Sequence, residues 1–159
     1  MQNQPKIISL PDAAATQSLG IFLGERLPAG SVLLLEGDLG SGKTTLVQGL
    51  GEGLGLREAI DSPTFTLINE YLDGRLPLYH FDLYRLDTTA AAALYPETYW
   101  EGTEVELGIV AIEWSERLHH KPSHYLEVQL TYDSSAGRQA RLSAIGPLND
   151  TVLDAIEAF

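Results

Sequence analysis

The chain has 159 residues, 44% of them apolar and 20% charged, the size and composition of one soluble domain with a single substantial core. Its 22 acidic against 10 basic side chains leave a net charge of −12, which repels a phosphate backbone and disfavours unaided grip on nucleic acid. Cysteine is absent, so disulfides and thiolate metal sites are excluded; no apolar run is long enough to span a bilayer and residues 1–6 are polar, so the expectation is one cytosolic domain over residues 1–159, away from membranes.

Ile7, Ile8 and Leu10 predict a short strand that Pro11 ends. Asp12 is placed to cap a helix reaching about Leu27, with Ala15, Leu19, Phe22 and Leu23 on one face. After a turn at Pro28-Ala29-Gly30, the apolar run 32–35 predicts a buried strand. It breaks into Gly37-Asp38-Leu39-Gly40-Ser41-Gly42-Lys43-Thr44, which fits G-x-x-x-x-G-K-[ST] between a strand and a helix, the setting that marks a phosphate-binding loop. Gly37, Gly40 and Gly42 let the backbone curl so that its N–H groups converge on phosphate oxygens. The helix starting near Lys43 adds the positive end of its dipole there. Lys43 is expected to reach the β- and γ-phosphates of a nucleoside triphosphate, and the Thr44 hydroxyl to hold Mg²⁺. That helix carries Leu46, Val47, Leu50 and Leu54 on one stripe and ends by Gly55. Gly49, Gly51 and Gly53 weaken it by roughly 1 kcal/mol each relative to alanine and read as sites of close packing, with a frayed helix end as the alternative.

Asp61-Ser62-Pro63-Thr64 is a loop leading to a strand expected over residues 65–72. Asp73-Gly74 signals a hairpin, with a returning strand over residues 76–86. Residues 88–94 form an alanine-rich helical turn, and residues 95–108 read as irregular, acidic and aromatic. Ile109-Val110-Ala111-Ile112 predicts a central strand ending in Glu113-Trp114. Leu126, Val128, Leu130 and Tyr132 alternate with polar or half-polar residues, a half-exposed strand that turns over residues 133–137 and pairs with residues 139–145. Leu148, Val152, Leu153, Ile156 and Phe159 fit one face of a terminal helix. The order is α/β with parallel and antiparallel pairings mixed.

A phosphate loop needs a further acidic group for Mg²⁺, usually at the end of a neighbouring apolar strand. Glu113 ends the most apolar run and is the first choice; Asp82, in His80-Phe81-Asp82-Leu83-Tyr84-Arg85, is the second, although Asp-x-x-Arg also fits a local ion pair. Ser62-Pro63-Thr64-Phe65-Thr66 lies where many such enzymes place a γ-phosphate sensor, with Thr64 or Thr66 placed to contact Mg²⁺ or the attacking water, and it equally fits a Pro-stiffened turn entering a strand. His119, His120 and His124 read as a surface loop, and the aromatics around Tyr99 as core or interface.

These motifs together resemble the TsaE (YjeE) family, small bacterial ATPases required for the threonylcarbamoyladenosine of tRNA. The resemblance rests on the loop 37–45, Ser-Pro-Thr-Phe-Thr-Leu at 62–67, His-Phe-Asp-Leu-Tyr-Arg-Leu at 80–86 and Ile-Glu-Trp at 112–114, in the family's order, with Leu10-Pro11-Asp12, Thr16 and Gly137-Arg138-Gln139-Ala140-Arg141 also familial. It departs from the family at residues 94–100, where a Leu-Gly is common. It implies a P-loop NTPase-like three-layer α/β sandwich with a mixed central sheet. Gly37, Asp38, Leu39, Gly40, Ser41, Gly42, Lys43, Thr44 and Thr45 would form the ATP loop. Lys43, Thr44, Asp82 and Glu113 would be catalytic, with Thr44, Glu113 and Asp82 around Mg²⁺. Thr64 would belong to the switch-like segment, Trp114 would lie beside the nucleotide and Thr16 on its adenine side. The implied partners are the threonylcarbamoyl-transferase subunit TsaD and its paralogue TsaB, with tRNA reached only indirectly. A small-molecule kinase would need an arginine-rich lid, yet only Arg57, Arg75 and Arg85 lie between the loop and Trp114; a non-hydrolysing nucleotide-dependent adaptor is the other alternative.

Overall fold

The computed structural model describes residues 4–63, 65–133, 137–146 and 150–156. In chain order its elements are β1 (Lys6–Leu10), α1 (Ala13–Arg26), β2 (Ser31–Glu36), α2 (Lys43–Gly53), β3 (Ile68–Tyr71), β4 (Leu78–Asp82), α3 (Thr88–Ala92), α4 (Thr98–Glu101), β5 (Ile109–Glu113), β6 (Tyr125–Tyr132), β7 (Arg138–Ile145) and α5 (Asp150–Ala155), with a 3-10 turn at Ser115–Arg117. The strands form one sheet in the order β1-β7-β6-β2-β5-β4-β3. The two most apolar runs, β2 and β5, are parallel neighbours at its centre, and β6 and β4 extend the parallel core on either side. Strands buried on both faces need no polar alternation, which is why these two read as continuous apolar runs. The remaining pairings, β6 with β7, β7 with β1 and β3 with β4, are antiparallel.

Alternate residues of the central strands feed two cores. Leu33, Leu35, Ala111 and Val128 pack under α1, α2 and α5, with Leu19, Leu23, Leu46 and Leu50 opposite them. Val32, Leu34, Val110 and Ile112 face the other way, beneath the short helices α3 and α4 and the 3-10 turn. There Tyr99 packs against Tyr79 and Phe81, each with ring centroids 5.1 Å apart, so the aromatic cluster is core. Helices on both faces of a mixed sheet make the three-layer sandwich expected.

Asp12 caps α1 as its sequence position predicts, accepting the Ala15 N–H at 2.8 Å. Glycines explain how closely α1 and α2 approach. A Cβ on Gly49 would stand 2.2 Å from the Gln17 carbonyl oxygen, and one on Gly20 would stand 2.2 Å from that of Leu46. The close-packing reading of Gly49 and Gly53 therefore holds, and Gly20 and Gly24 on α1 answer them in kind.

Two strands are shorter than the pattern suggests. β3 begins only at Ile68, because Leu67 adopts a left-handed conformation (φ 70°) and closes a turn onto the Pro63 carbonyl. β4 ends at Asp82, whose carboxylate accepts the Tyr84 N–H and so replaces a ladder bond. The nominally irregular 95–108 stretch contains α4. Thr64, the turn residues 134–136, Leu148 and Phe159 lie outside the described residues. Among the described residues no helix is long and apolar enough to cross a membrane.

Candidate functional site

β2, β5 and β4 end along one edge of the sheet, at Glu36, Glu113 and Asp82, with Asp82 opposite Glu113 in register. The carboxyl ends of parallel strands are where open α/β sheets leave a crevice, and residues 37–42 cross it between β2 and α2. Gly42, left-handed at φ 108°, turns the chain into α2, a conformation a side chain would strain. A Cβ on Gly37 would stand 2.7 Å from the Leu130 carbonyl oxygen. The β6–β7 hairpin steadies the loop from outside: Arg138 donates to the Gly40 carbonyl at 3.1 Å and stacks 4.2 Å over Tyr132, whose hydroxyl reaches the Leu39 carbonyl at 3.4 Å.

Lys43 opens α2 with its side chain buried. Its ammonium donates to the carbonyl oxygens of Gly37 and, at 3.2 Å, Asp38, and lies 4.2 Å from the Trp114 ring centroid. Burial pushes the lysine below its ordinary value, opposed by the nearby carboxylates of Glu113, Glu116, Asp82 and Asp38. Trp114 holds a left-handed backbone (φ 60°, ψ 45°), unusual for a bulky aromatic, immediately after Glu113. Its indole also packs against Tyr84, with centroids 4.9 Å apart. Arg117 donates to the carbonyls of Tyr84 and Leu86 at 2.8 and 2.9 Å, tying the loop after β4 to the turn after β5.

The acidic side of the crevice is a compact cluster. The Thr44 hydroxyl lies 3.2 Å from each carboxylate oxygen of Glu113. His80 Nε2 lies 2.6 Å from Glu113 Oε2. Asp82 Oδ2 accepts from the Ser62 hydroxyl at 3.3 Å. Glu113 and Asp82 are each 4% exposed. A hydroxyl and carboxylates gathered beside a lysine-bearing loop are the hard oxygen donors that Mg²⁺ takes. The residues present therefore fit a Mg²⁺–nucleotide.

A cavity of about 310 Å³ opens over this cluster, bordered by Lys43, Thr44, Ser62, Asp82, Glu113 and Trp114. On the other side of the loop a smaller one of about 140 Å³ is lined by Asp12, Thr16, Ser41, Thr45 and Arg138. The structure thus gathers Lys43, Thr44, Asp82, Glu113 and Trp114 in one place and sets Thr16 across the loop from them. Asp38 contributes its backbone carbonyl, while Leu39 is exposed on the rim. Thr66 faces elsewhere, bonding Asn69 at 2.7 Å; it is Ser62 that joins the segment to the acidic cluster. His119, His120 and His124 are exposed. His80 was not legible as a site residue. The available signal was a histidine two positions before Asp82 on an apolar strand, hence on the same face.

Strand, glycine loop and helix at the carboxyl edge of a mixed sheet define a P-loop-like α/β protein. The crystal structure of Bacillus subtilis YdiB shares the fold, with a TM-score of 0.78 and 28% identity, covering 99% of this chain and 97% of that one. The profile of the family described as "Threonylcarbamoyl adenosine biosynthesis protein TsaE" matches residues 10–140. Proteins named tRNA threonylcarbamoyladenosine biosynthesis protein TsaE are similar over most of their length. That of Nostoc sp. strain PCC 7120 is 60% identical over 94% of this chain and 90% of its own. That of Bacillus subtilis strain 168 is 40% identical over 74% of this chain and 72% of its own. The chain belongs to the TsaE family.

Proposed function

We propose that this protein is a Mg²⁺-dependent ATPase of the cytosol that serves threonylcarbamoyladenosine formation on tRNA, acting through the transferase subunit TsaD and its paralogue TsaB rather than on tRNA itself. The names of its relatives support the pathway. The observation that carries the chemistry is the Thr44 hydroxyl meeting the Glu113 carboxylate at 3.2 Å, at the head of a helix that also bears a buried Lys43.

In this reading Lys43 exchanges the Gly37 and Asp38 carbonyls for phosphate oxygens, while the loop N–H groups and the α2 dipole bind the same anion. Thr44 and Glu113, with Asp82 beside them, would hold the cation, which would offset phosphate charge. Trp114 covers the lysine and keeps water off it. The smaller cavity, with Thr16, Thr45 and Arg138, takes the adenosine end. Ser62, bonded to Asp82, links the segment 62–66 to the cation side, so that the γ-phosphate sets that segment's arrangement and thereby partner affinity. The net charge of −12 suits a protein that leaves tRNA to its partners.

Phosphate release from ATP, measured alone and with TsaD plus TsaB, tests this. Partner-dependent release of inorganic phosphate is expected. Transfer of label to a small acceptor would make the protein a kinase, and no release under any condition would make it an adaptor.

A further inference from the structure

His80 is fully buried in the middle of β4, a position where leucine would pack without desolvation cost. Its two ring nitrogens meet very different surroundings. Nε2 lies 2.6 Å from Glu113 Oε2, whereas Nδ1 is buried and has no hydrogen-bond partner. The bond to a carboxylate requires the proton on Nε2, and a bare Nδ1 costs less in an apolar site than an N–H lacking an acceptor. The ring is thereby fixed as a donor aimed at Glu113.

That donor makes the two carboxylate oxygens unequal. Oε2 receives both His80, at 2.6 Å, and the Thr44 hydroxyl, at 3.2 Å. Oε1 meets the Thr44 hydroxyl at 3.2 Å. A glutamate reaching a crevice from a strand end has three side-chain torsions free, and a 2.6 Å bond from a fully buried ring restricts them. We infer that His80 is a positioning residue: its Nε2–H holds Glu113 so that Oε1 stays presented beside Thr44 as an oxygen donor to the divalent cation. This rests on the cation-binding reading of Glu113 given above. Groups that orient metal ligands from behind commonly change metal affinity by about 10–100-fold when lost.

Three substitutions separate positioning from packing. His80→Gln places an amide N–H near the former Nε2 and keeps the donor. His80→Asn is polar too, but its amide reaches only about as far as Nδ1. His80→Leu removes the donor and fills the space. The readout is Mn²⁺ affinity of the protein loaded with a non-hydrolysable ATP analogue, from the electron paramagnetic resonance signal of free Mn²⁺, with kcat and KM for ATP alongside. Leu and Asn variants are expected to bind Mn²⁺ about tenfold or more weakly and the Gln variant within about threefold of the parent, with metal-free analogue affinity unchanged throughout. Turnover should follow metal affinity in kcat rather than KM. Equal Mn²⁺ affinity in the Gln and Asn variants would overturn the inference, and that pair decides the matter even if the Leu variant does not fold. Glu113→Gln is the control: unchanged Mn²⁺ affinity there would remove the metal role of Glu113 itself. Weakening in Glu113→Gln without weakening in His80→Asn would overturn the role of His80 alone.

Discussion

Gly49→Ala sets two physical effects against each other, and the structure decides between them. Alanine in place of glycine within a helix is worth about 1 kcal/mol of stabilisation on propensity alone. The new Cβ, however, would stand 2.2 Å from the Gln17 carbonyl oxygen, 3.0 Å from its carbonyl carbon and 3.1 Å from its Cα, all backbone atoms of α1. No rotamer relieves a clash with backbone, so α1 and α2 must part by about 1 Å, and overpacking of this kind costs typically 1–3 kcal/mol. With the reciprocal contact at Gly20 opened by the same motion, the upper end applies, and the net loss is about 2 kcal/mol. For a chain of this size that lowers the melting temperature by about 4–8 °C. Urea titration followed by circular dichroism should show an earlier midpoint with an unchanged slope. A gain of about 1 kcal/mol, the propensity value, would refute the close approach of the two helices.

Lys43→Met should weaken ATP binding at least about tenfold, or about 1.4 kcal/mol, by calorimetry. Unchanged ATP affinity would refute the phosphate role. Thr44→Ala should retain metal-free nucleotide binding while the Mg²⁺ dependence of turnover flattens, measured as phosphate release across a Mg²⁺ titration. Tyr79 and Tyr99 are both pushed above the ordinary tyrosine value of 10.0, chiefly by burial and secondarily by Glu70. A raised acid favours its neutral form in the fold, so the stability linked to these phenols is intact below pH 10 and is lost as pH rises above it. Phenolate absorbance during an alkaline titration should therefore show two tyrosines ionising late, and Tyr79→Phe should remove one of them.

The phosphate loop, the buried strands on either side and the terminal carboxylates of β4 and β5 were legible because each is a local pattern. The octet 37–44 is recognisable from its own spacing, and an apolar run such as 109–112 reads as a central strand. What escaped depends on partners far away in sequence. Arg138 stands in the stretch 137–141, marked only by its family likeness, and its contact with the loop appears once the β6–β7 hairpin brings it to the Gly40 carbonyl. Gly20 and Gly24 carry no signal of their own within α1, and their role appears only where α2 supplies matching glycines. The overlong β3 and β4 failed differently. Their flanks are apolar enough to continue a strand, but the Asp82 carboxylate and the left-handed Leu67 take the backbone elsewhere, and the stop at Asp82 lies in the cavity wall.

Register connects that site to the thin aromatic layer on the opposite face. β4 pairs with β5 so that Asp82 stands opposite Glu113 and His80 opposite Ala111. Side chains alternate across a sheet, so a slip of one residue would turn Asp82 and His80 toward α4 and bring Tyr79 and Phe81 under the phosphate-loop helix. Two things oppose that slip. Tyr79 and Phe81 are seated against Tyr99 at 5.1 Å, and the Tyr79 hydroxyl donates to the Glu106 carbonyl at 2.6 Å. The slip would strip Tyr79 of its buried hydrogen bond and bury two polar side chains among rings, each a cost of about 1–3 kcal/mol. The aromatic packing on the far face therefore maintains the spacing of Asp82, His80 and Glu113 on the near one, although none of those rings touches the cavity wall. Short helices suffice for that layer, because its task is to hold two aromatic side chains in one register.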